Sequence, residues 1–340
     1  MGYYMDVRIC SHFEVRSPIP FCRAALLTRA FCLGVSLCFC LAEPLFAGTD
    51  RAEPSIIDPG RLEAHVRTLS ETLGPRDAGH PDNLNRVASY IRLAFEQAQG
   101  KTADQPFQVG QTTYRNVVAT FGPQSKERVV VGAHYDTAGP YPGADDNASG
   151  IAGLIELAGL VSKNHLPSRV DLVAYTLEEP PFFRTEHMGS AVHARALKAE
   201  GAIVRAMLSL EMIGYFTDEE DSQSFPAPGL SLLYPTTGNF IAVVGRIGEG
   251  RLVRRIKNAM SNASSLPVHS INAPRFLAGI DFSDHLNYWE AGYPAVMITD
   301  TAFYRNPNYH TATDTAETLD YRRMAQVAAG IYAAVRDLAR

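Results

Sequence analysis

His134, Asp145, Glu179, Glu211 and His310 each stand where an apolar, strand-like stretch gives way to a loop, or in such a loop. Their contexts are Val-Val-Val-Gly-Ala-His-Tyr-Asp, Gly-Ala-Asp-Asp-Asn-Ala-Ser-Gly, Tyr-Thr-Leu-Glu-Glu, Leu-Ser-Leu-Glu-Met and Asn-Tyr-His-Thr-Ala. Imidazole and carboxylate are the ligands that hard, water-activating divalent metals take. Five of them on strand ends point to a site that holds two metal ions and activates water. Glu178, beside Glu179, is the candidate base.

Taken singly, each residue has a plainer role. A His-x-Asp at a strand end is more often structural, and a Glu-Glu pair there is usually a solvated turn. Asp-Asp-Asn-Ala-Ser-Gly would serve as a helix N-cap. The case rests on recurrence. Segments 127–133, 169–176, 203–210 and 294–299 read as strands, and each runs into a His or carboxylate, or into the loop that bears one. Open α/β sheets bind ligands at the carboxyl ends of their strands.

The remaining elements follow from periodicity. Apolar residues recur with helical spacing over 61–73, 83–98 and 147–161, where Gly150 and Gly153 permit close packing. Further helices are expected at 186–199, 250–262, 283–290 and 317–339, and strands at 104–108, 114–121 and 239–244. Residues 217–230 read as a loop. Strand and helix alternate, which predicts a largely parallel sheet with helices on both faces. The short Gly-Pro turn between 114–121 and 127–133 predicts an antiparallel hairpin there, and so a mixed sheet.

The chain has 340 residues, 46% hydrophobic, with a net charge of -5. It carries no basic stripe, so neither nucleic acid nor an anionic membrane surface is an expected partner of the folded part. All five cysteines fall in the first forty residues. That region also holds Arg23, Arg29, an apolar run from Ala30 to Ala42, and Pro-Leu-Phe-Ala-Gly at 44–48. This is the pattern of an export signal cut near Ala47. The run is short of the roughly 20 residues that span a bilayer. The expected organisation is therefore a signal at 1–47 and one catalytic domain at 48–340, exported, free of cysteine and off the membrane once the signal is cut.

His-Tyr-Asp, Gly-Ala-Asp-Asp-Asn-Ala-Ser-Gly, Leu-Glu-Glu, Leu-Glu-Met-Ile-Gly-Tyr and Tyr-His-Thr-Ala-Thr-Asp-Thr, in this order, resemble the M28 zinc peptidases. These are co-catalytic aminopeptidases, with glutaminyl cyclases and some carboxypeptidases as relatives. The resemblance runs from about residue 60 to the C-terminus. It implies a three-layer α/β/α sandwich around a mixed, mostly parallel sheet, and two zinc ions per chain. By resemblance, Asp145 bridges the zincs, Glu179 and His310 complete one, and His134 and Glu211 the other. Asp136 accepts a hydrogen bond from His134, and the peptide bond between Asp145 and Asp146 is cis. Three carboxylates against two zinc ions leave one positive charge, which favours a bridging hydroxide. Glu178 takes the proton of that water as it attacks a peptide carbonyl. Glu211 departs from the pattern, since many relatives have Asp there.

The function implied is removal of N-terminal residues from peptides with a free amine. Glutaminyl-peptide cyclisation and metallocarboxypeptidase action on the same scaffold are the alternatives, and a non-catalytic peptide-binding protein is a third. The cyclases usually carry Trp before the last His, where this chain has Tyr309. Asp284 and His285 could support the ligands or touch substrate, though Ser283 or Asp284 reads rather as a helix N-cap; Tyr304, Arg305 and Tyr309 read as cleft wall or surface loop, and Phe182 and Phe183 as subsite wall or core. The other histidines, His269 among them, read as structural. Neither oligomeric state nor the preferred first side chain is legible.

Overall fold

Among the described residues, eight strands form one sheet in the order β1-β2-β4-β3-β5-β8-β6-β7. They are β1 (Lys101–Val109), β2 (Thr112–Phe121), β3 (Glu127–His134), β4 (Arg169–Tyr175), β5 (Ile203–Glu211), β6 (Ile241–Arg246), β7 (Val268–Ala273) and β8 (Ala295–Thr299). The helices are α1 (Pro59–Arg67), α2 (Pro81–Gln97), α3 (Gly150–Lys163), α4 (Gly189–Ala199), α5 (Gly250–Ser261), α6 (His285–Glu290) and α7 (Tyr321–Leu338). This computed structural model describes residues 57–164 and 166–340. The export signal expected at 1–47, and with it the boundary at 48, lies outside the described residues. No helix among the described residues is long and apolar enough to cross a membrane.

Strands β4, β3, β5 and β8 run parallel through the centre. Buried on both faces, they read as near-continuous apolar runs, as in Val129-Val130-Val131. Alternate residues serve opposite layers. Val129, Val131 and Ala133 join the core under α1, α2, α3, α5 and α7, whereas Val130, Val173 and Tyr175 join the core under α4 and α6. The result is the expected three-layer α/β/α sandwich on a mixed sheet.

One expectation about strands is corrected. The antiparallel hairpin is β1-β2, with Val109 paired to Thr112, and not the pair 114–121 and 127–133. β4 inserts between β2 and β3 and pairs with both. The Gly-Pro turn reverses the chain without joining neighbours, because β3 gains a buried parallel ladder on each side instead. β7 is an element the sequence reading left unassigned. It lies at the sheet edge, parallel to β6, and is too short and too mixed in polarity to stand out.

Candidate metal centre

The parallel order puts the carboxyl ends of β3, β4, β5 and β8 side by side, and the motif residues gather there. His134 closes β3, Glu178 and Glu179 follow β4, Glu211 closes β5, and His310 comes from the loop after β8. Leu177, Met212 and His310 hold φ of 60°, 50° and 56°, in the left-handed region. Non-glycine residues sit there only when their surroundings over-determine them, at a cost of about 1–3 kcal/mol each. All three are at or next to motif residues.

The carboxylate between the two histidines belongs to Asp146, not Asp145. Asp146 Oδ1 lies 3.2 Å from His134 Nε2, and Oδ2 lies 3.0 Å from His310 Nε2. Glu211 Oε2 is 3.4 Å from His134 Nε2, and Glu179 Oε1 is 3.2 Å from His310 Nε2. Asp145 faces the other way. Its Oδ1 accepts from the Gly214 N–H at 3.0 Å and its Oδ2 from Asn306 Nδ2 at 2.8 Å. Its two oxygens are thus spent on joining loops. The cis peptide bond likewise lies one residue further on than expected, between Asp146 and Asn147.

The loop that presents Asp146 is tied from several sides. Asp314 accepts the N–H groups of Asp145 and Asp146 at 2.9 and 3.1 Å. Asn147 donates to the Leu210 carbonyl at 2.8 Å and accepts from Met212 N–H at 3.1 Å, which locks the loop to the end of β5. Gly143 has φ +57°, and a Cβ there would come within 2.4 Å of the Asp146 carbonyl. The buried Arg76 donates to the carbonyls of Leu69, Tyr135, Pro142 and Gly143. Burial pulls its pKa down to about 10, against the nearby Asp314 charge. Sequence reasoning missed Arg76, which has no local signature, and Asp314, which was in view inside the last motif.

Asp136 adjoins His134 Nδ1 as expected and does a second job besides. His134 Nδ1 donates to the Asp136 backbone carbonyl at 3.1 Å, while the carboxylate oxygen is 3.6 Å away. A carbonyl only accepts, so Nδ1 carries a proton, and Nε2 is the nitrogen turned toward the Asp146 and Glu211 carboxylates. The Asp136 carboxylate also accepts the N–H groups of Glu178 and Glu179, at 3.2 and 3.1 Å. It thereby fixes the turn on which both glutamates sit. Ser283 donates to Glu211 Oε2 at 2.6 Å and contacts Ser209 at 2.9 Å. Ser283 is therefore a support for Glu211. The N-cap expected at Ser283 or Asp284 is absent as a side-chain bond, and the buried Asp284 carboxyl lies beside the Ser190 hydroxyl.

The electrostatics call for positive charge. Burial raises the carboxyls of Glu178, Glu179 and Glu211, with further increases from neighbouring acids, and Glu179 is pushed up to about 8. Burial also works against a charged His310, but Asp146 and Glu179 outweigh it and raise its pKa to about 10. For Asp146 burial acts upward, yet His134 and His310 hold it below the usual carboxylate range. His134 Nε2, His310 Nε2, Asp146 Oδ1 and Glu179 Oε1 are buried with no partner in hydrogen-bond geometry among the described residues. Ligand atoms of His134, Asp146 and Glu179 lie within 4.8 Å of one another. Two imidazole nitrogens converge with the carboxylates of Asp146, Glu179 and Glu211, and the nitrogens and one oxygen each of Asp146 and Glu179 lack a partner among the described residues, a donor set that fits zinc.

Around the cluster, Tyr309 stacks on His310 with centroids 3.7 Å apart. Arg305, weighed as cleft wall, is buried and donates to Gln223 and to the Phe240 carbonyl. Phe182 packs on Tyr114, and Phe183 packs behind Phe282. Of Tyr114, Phe182, Phe183 and Phe282, only Phe282 lines the adjoining pocket.

Residues 116–335 match the model of peptidase family M28. An uncharacterised protein of Escherichia coli K12, YfbL, is 49% identical over 286 residues, spanning 82% of this chain and 88% of that protein. Leucine aminopeptidase 1 of Ajellomyces dermatitidis is 26% identical over 62% of this chain, which spans about half of that protein's length (52%). Among solved structures, a zinc aminopeptidase of Bacillus subtilis shares the fold with a TM-score of 0.66 at 14% identity, over 83% of this chain and 96% of that one. The family match takes in every strand of the parallel centre and every residue of the cluster, and with a relative at half identity over most of its length it makes this chain a member of peptidase family M28.

Proposed function

We propose that this chain is an exported zinc-dependent aminopeptidase that holds two metal ions and uses Glu178 as general base. The observation that carries the reading is the Asp146 carboxylate, with one oxygen toward each histidine and a glutamate beside each histidine. That arrangement has two halves sharing one carboxylate. His134 and Glu211 would hold one ion, His310 and Glu179 the other, with Asp146 common to both. Zinc bound there supplies a Lewis acid for the scissile carbonyl and a water acidified to a pKa of about 7.

Glu178 stays outside the histidine contacts, and its backbone N–H is pinned by Asp136. Burial, with Glu179 and Glu211 nearby, raises its proton affinity despite His134. A carboxylate so placed takes a proton from water and returns it to the leaving amine. The crowd of acids at the closed end favours a protonated α-amine, a short-range charge pair in a partly dry cleft. Export is supported by the sequence before residue 48 and by the lack of cysteine after it.

The experiment compares three substrates with the zinc-loaded protein: leucine anilide, N-acetyl-leucine anilide and a glutaminyl peptide. Hydrolysis of the first alone is expected. Equal turnover of the first two would replace the aminopeptidase reading with an endopeptidase or carboxypeptidase one. Ammonia release from the third without anilide hydrolysis would assign a cyclase. Recovery of the chain from the cytoplasm with residues 1–47 intact would remove export.

A further inference from the structure

A pocket opens beside Glu211 and Tyr309 and runs sideways over the sheet. Its floor is set by strand register. Glu211 pairs with Thr299, Thr299 with Ala242, and Ala242 with His269. These four residues form one row across β5, β8, β6 and β7, and directly paired residues share a face of the sheet. The row therefore reads acid, small, small, histidine. Three strand spacings of about 4.8 Å put its ends roughly 14 Å apart, backbone to backbone. The next row on that face, Met297, Val244 and Ile271, is apolar. Phe225, Tyr234 and Phe240 add aromatic walls.

His269 at the far end is half-buried, edge-on to Phe240 with centroids 4.9 Å apart and to Tyr234 at 6.3 Å. Neither ring nitrogen has a hydrogen-bond partner among the described residues. The neighbouring polar tips are committed to the protein. The Tyr234 hydroxyl donates to the Ser270 carbonyl at 3.0 Å, the Tyr304 hydroxyl to the Ala278 carbonyl at 3.2 Å, and the Gln223 amide to Ser224 and Thr301. Burial, then the charges of Lys257 and Arg305, lower the His269 pKa, so at neutral pH the ring offers one donor and one acceptor.

Building on the aminopeptidase reading, we propose that this pocket takes the first side chain of the substrate and that His269 selects tyrosine by hydrogen-bonding its hydroxyl. An apolar pocket alone accepts phenylalanine and rejects tyrosine, because a buried hydroxyl without a partner is costly. A free imidazole at the end of the trough removes that penalty and turns the preference toward the ring with a polar tip.

The test is the kcat/KM ratio of tyrosine anilide to phenylalanine anilide in wild type, His269→Phe and His269→Gln. Both substrates are read on one preparation, so an inactive fraction cancels. The expected ratio is one or more in wild type and at least about tenfold lower in His269→Phe. His269→Gln, which keeps a donor and an acceptor, recovers most of it. A ratio unmoved by His269→Phe overturns the proposal, as does a wild type that strongly prefers phenylalanine. If wild type cleaves no anilide, the aminopeptidase reading fails by itself. The pocket is then judged by calorimetric titration of tyramine against phenethylamine: a tyramine preference lost in His269→Phe sustains it, and no preference in wild type sinks it.

Discussion

Asp145→Asn and Asp146→Asn differ by one position and are expected to fail in opposite ways. Asp145 accepts two hydrogen bonds, from Gly214 N–H and from Asn306, in a fully buried setting. An amide has one acceptor oxygen, so the variant faces one donor with another. Such an unsatisfied buried pair costs about 1–3 kcal/mol. Unfolding entropy of about 2.1 cal/mol/K per residue gives roughly 0.6 kcal/mol/K for a domain of this size, so the metal-free Tm falls by about 2–5 °C. Asp146 instead serves both histidines. A metal at 1,000 times its Kd adds about 4 kcal/mol of stability per site, or roughly 7 °C on the same entropy scale. Asp146→Asn loses most of that zinc-dependent increment, and Asp145→Asn keeps it. The assay is thermal unfolding with EDTA and with zinc, beside metal content after gel filtration. Wild-type zinc content in Asp146→Asn, or its loss in Asp145→Asn alone, would refute the assignment of the shared carboxylate.

Glu178→Gln should keep its metal and fold while kcat drops by about 10²–10⁴; activity within about threefold of wild type removes Glu178 from the mechanism. Ser283→Ala unties Glu211 from its 2.6 Å donor and should weaken zinc affinity by about 10–100-fold, read by competition with a chromogenic chelator; wild-type affinity would make Ser283 a bystander. Burial lowers the His193 pKa from 6.5 to about 4. The unfolded chain therefore takes up the proton first, and the stability from neutral His193, fully present above pH 6.5, is lost as pH falls toward 4. About 2 kcal/mol should go between pH 7 and pH 5, as the difference between wild type and His193→Gln in urea midpoints with EDTA. An identical pH slope in the two proteins would contradict it.

The sandwich and most of the candidate site are legible in the sequence. Strand ends were legible because apolar runs such as Val129-Val130-Val131 stop abruptly at polar residues, and a parallel sheet brings such stops to one edge. His134, Glu178, Glu179, Glu211 and His310 were found this way, and the structure brings them together at that edge. Which of two adjacent aspartates faces inward was not legible. Neighbouring side chains diverge, and the choice is made by Gly214 and Asn306, 69 and 161 residues away in sequence, which claim Asp145. The partner of β2 was likewise decided by the β4 ladder and not by the turn. The role of Asp136 followed from where β4 ends beside it. His269 looked structural in the sequence because β7 was not visible there, and a row of four residues on four strands exists only once register is set. Local pattern records what each segment buries; which groups then meet depends on long-range pairing that no single segment encodes.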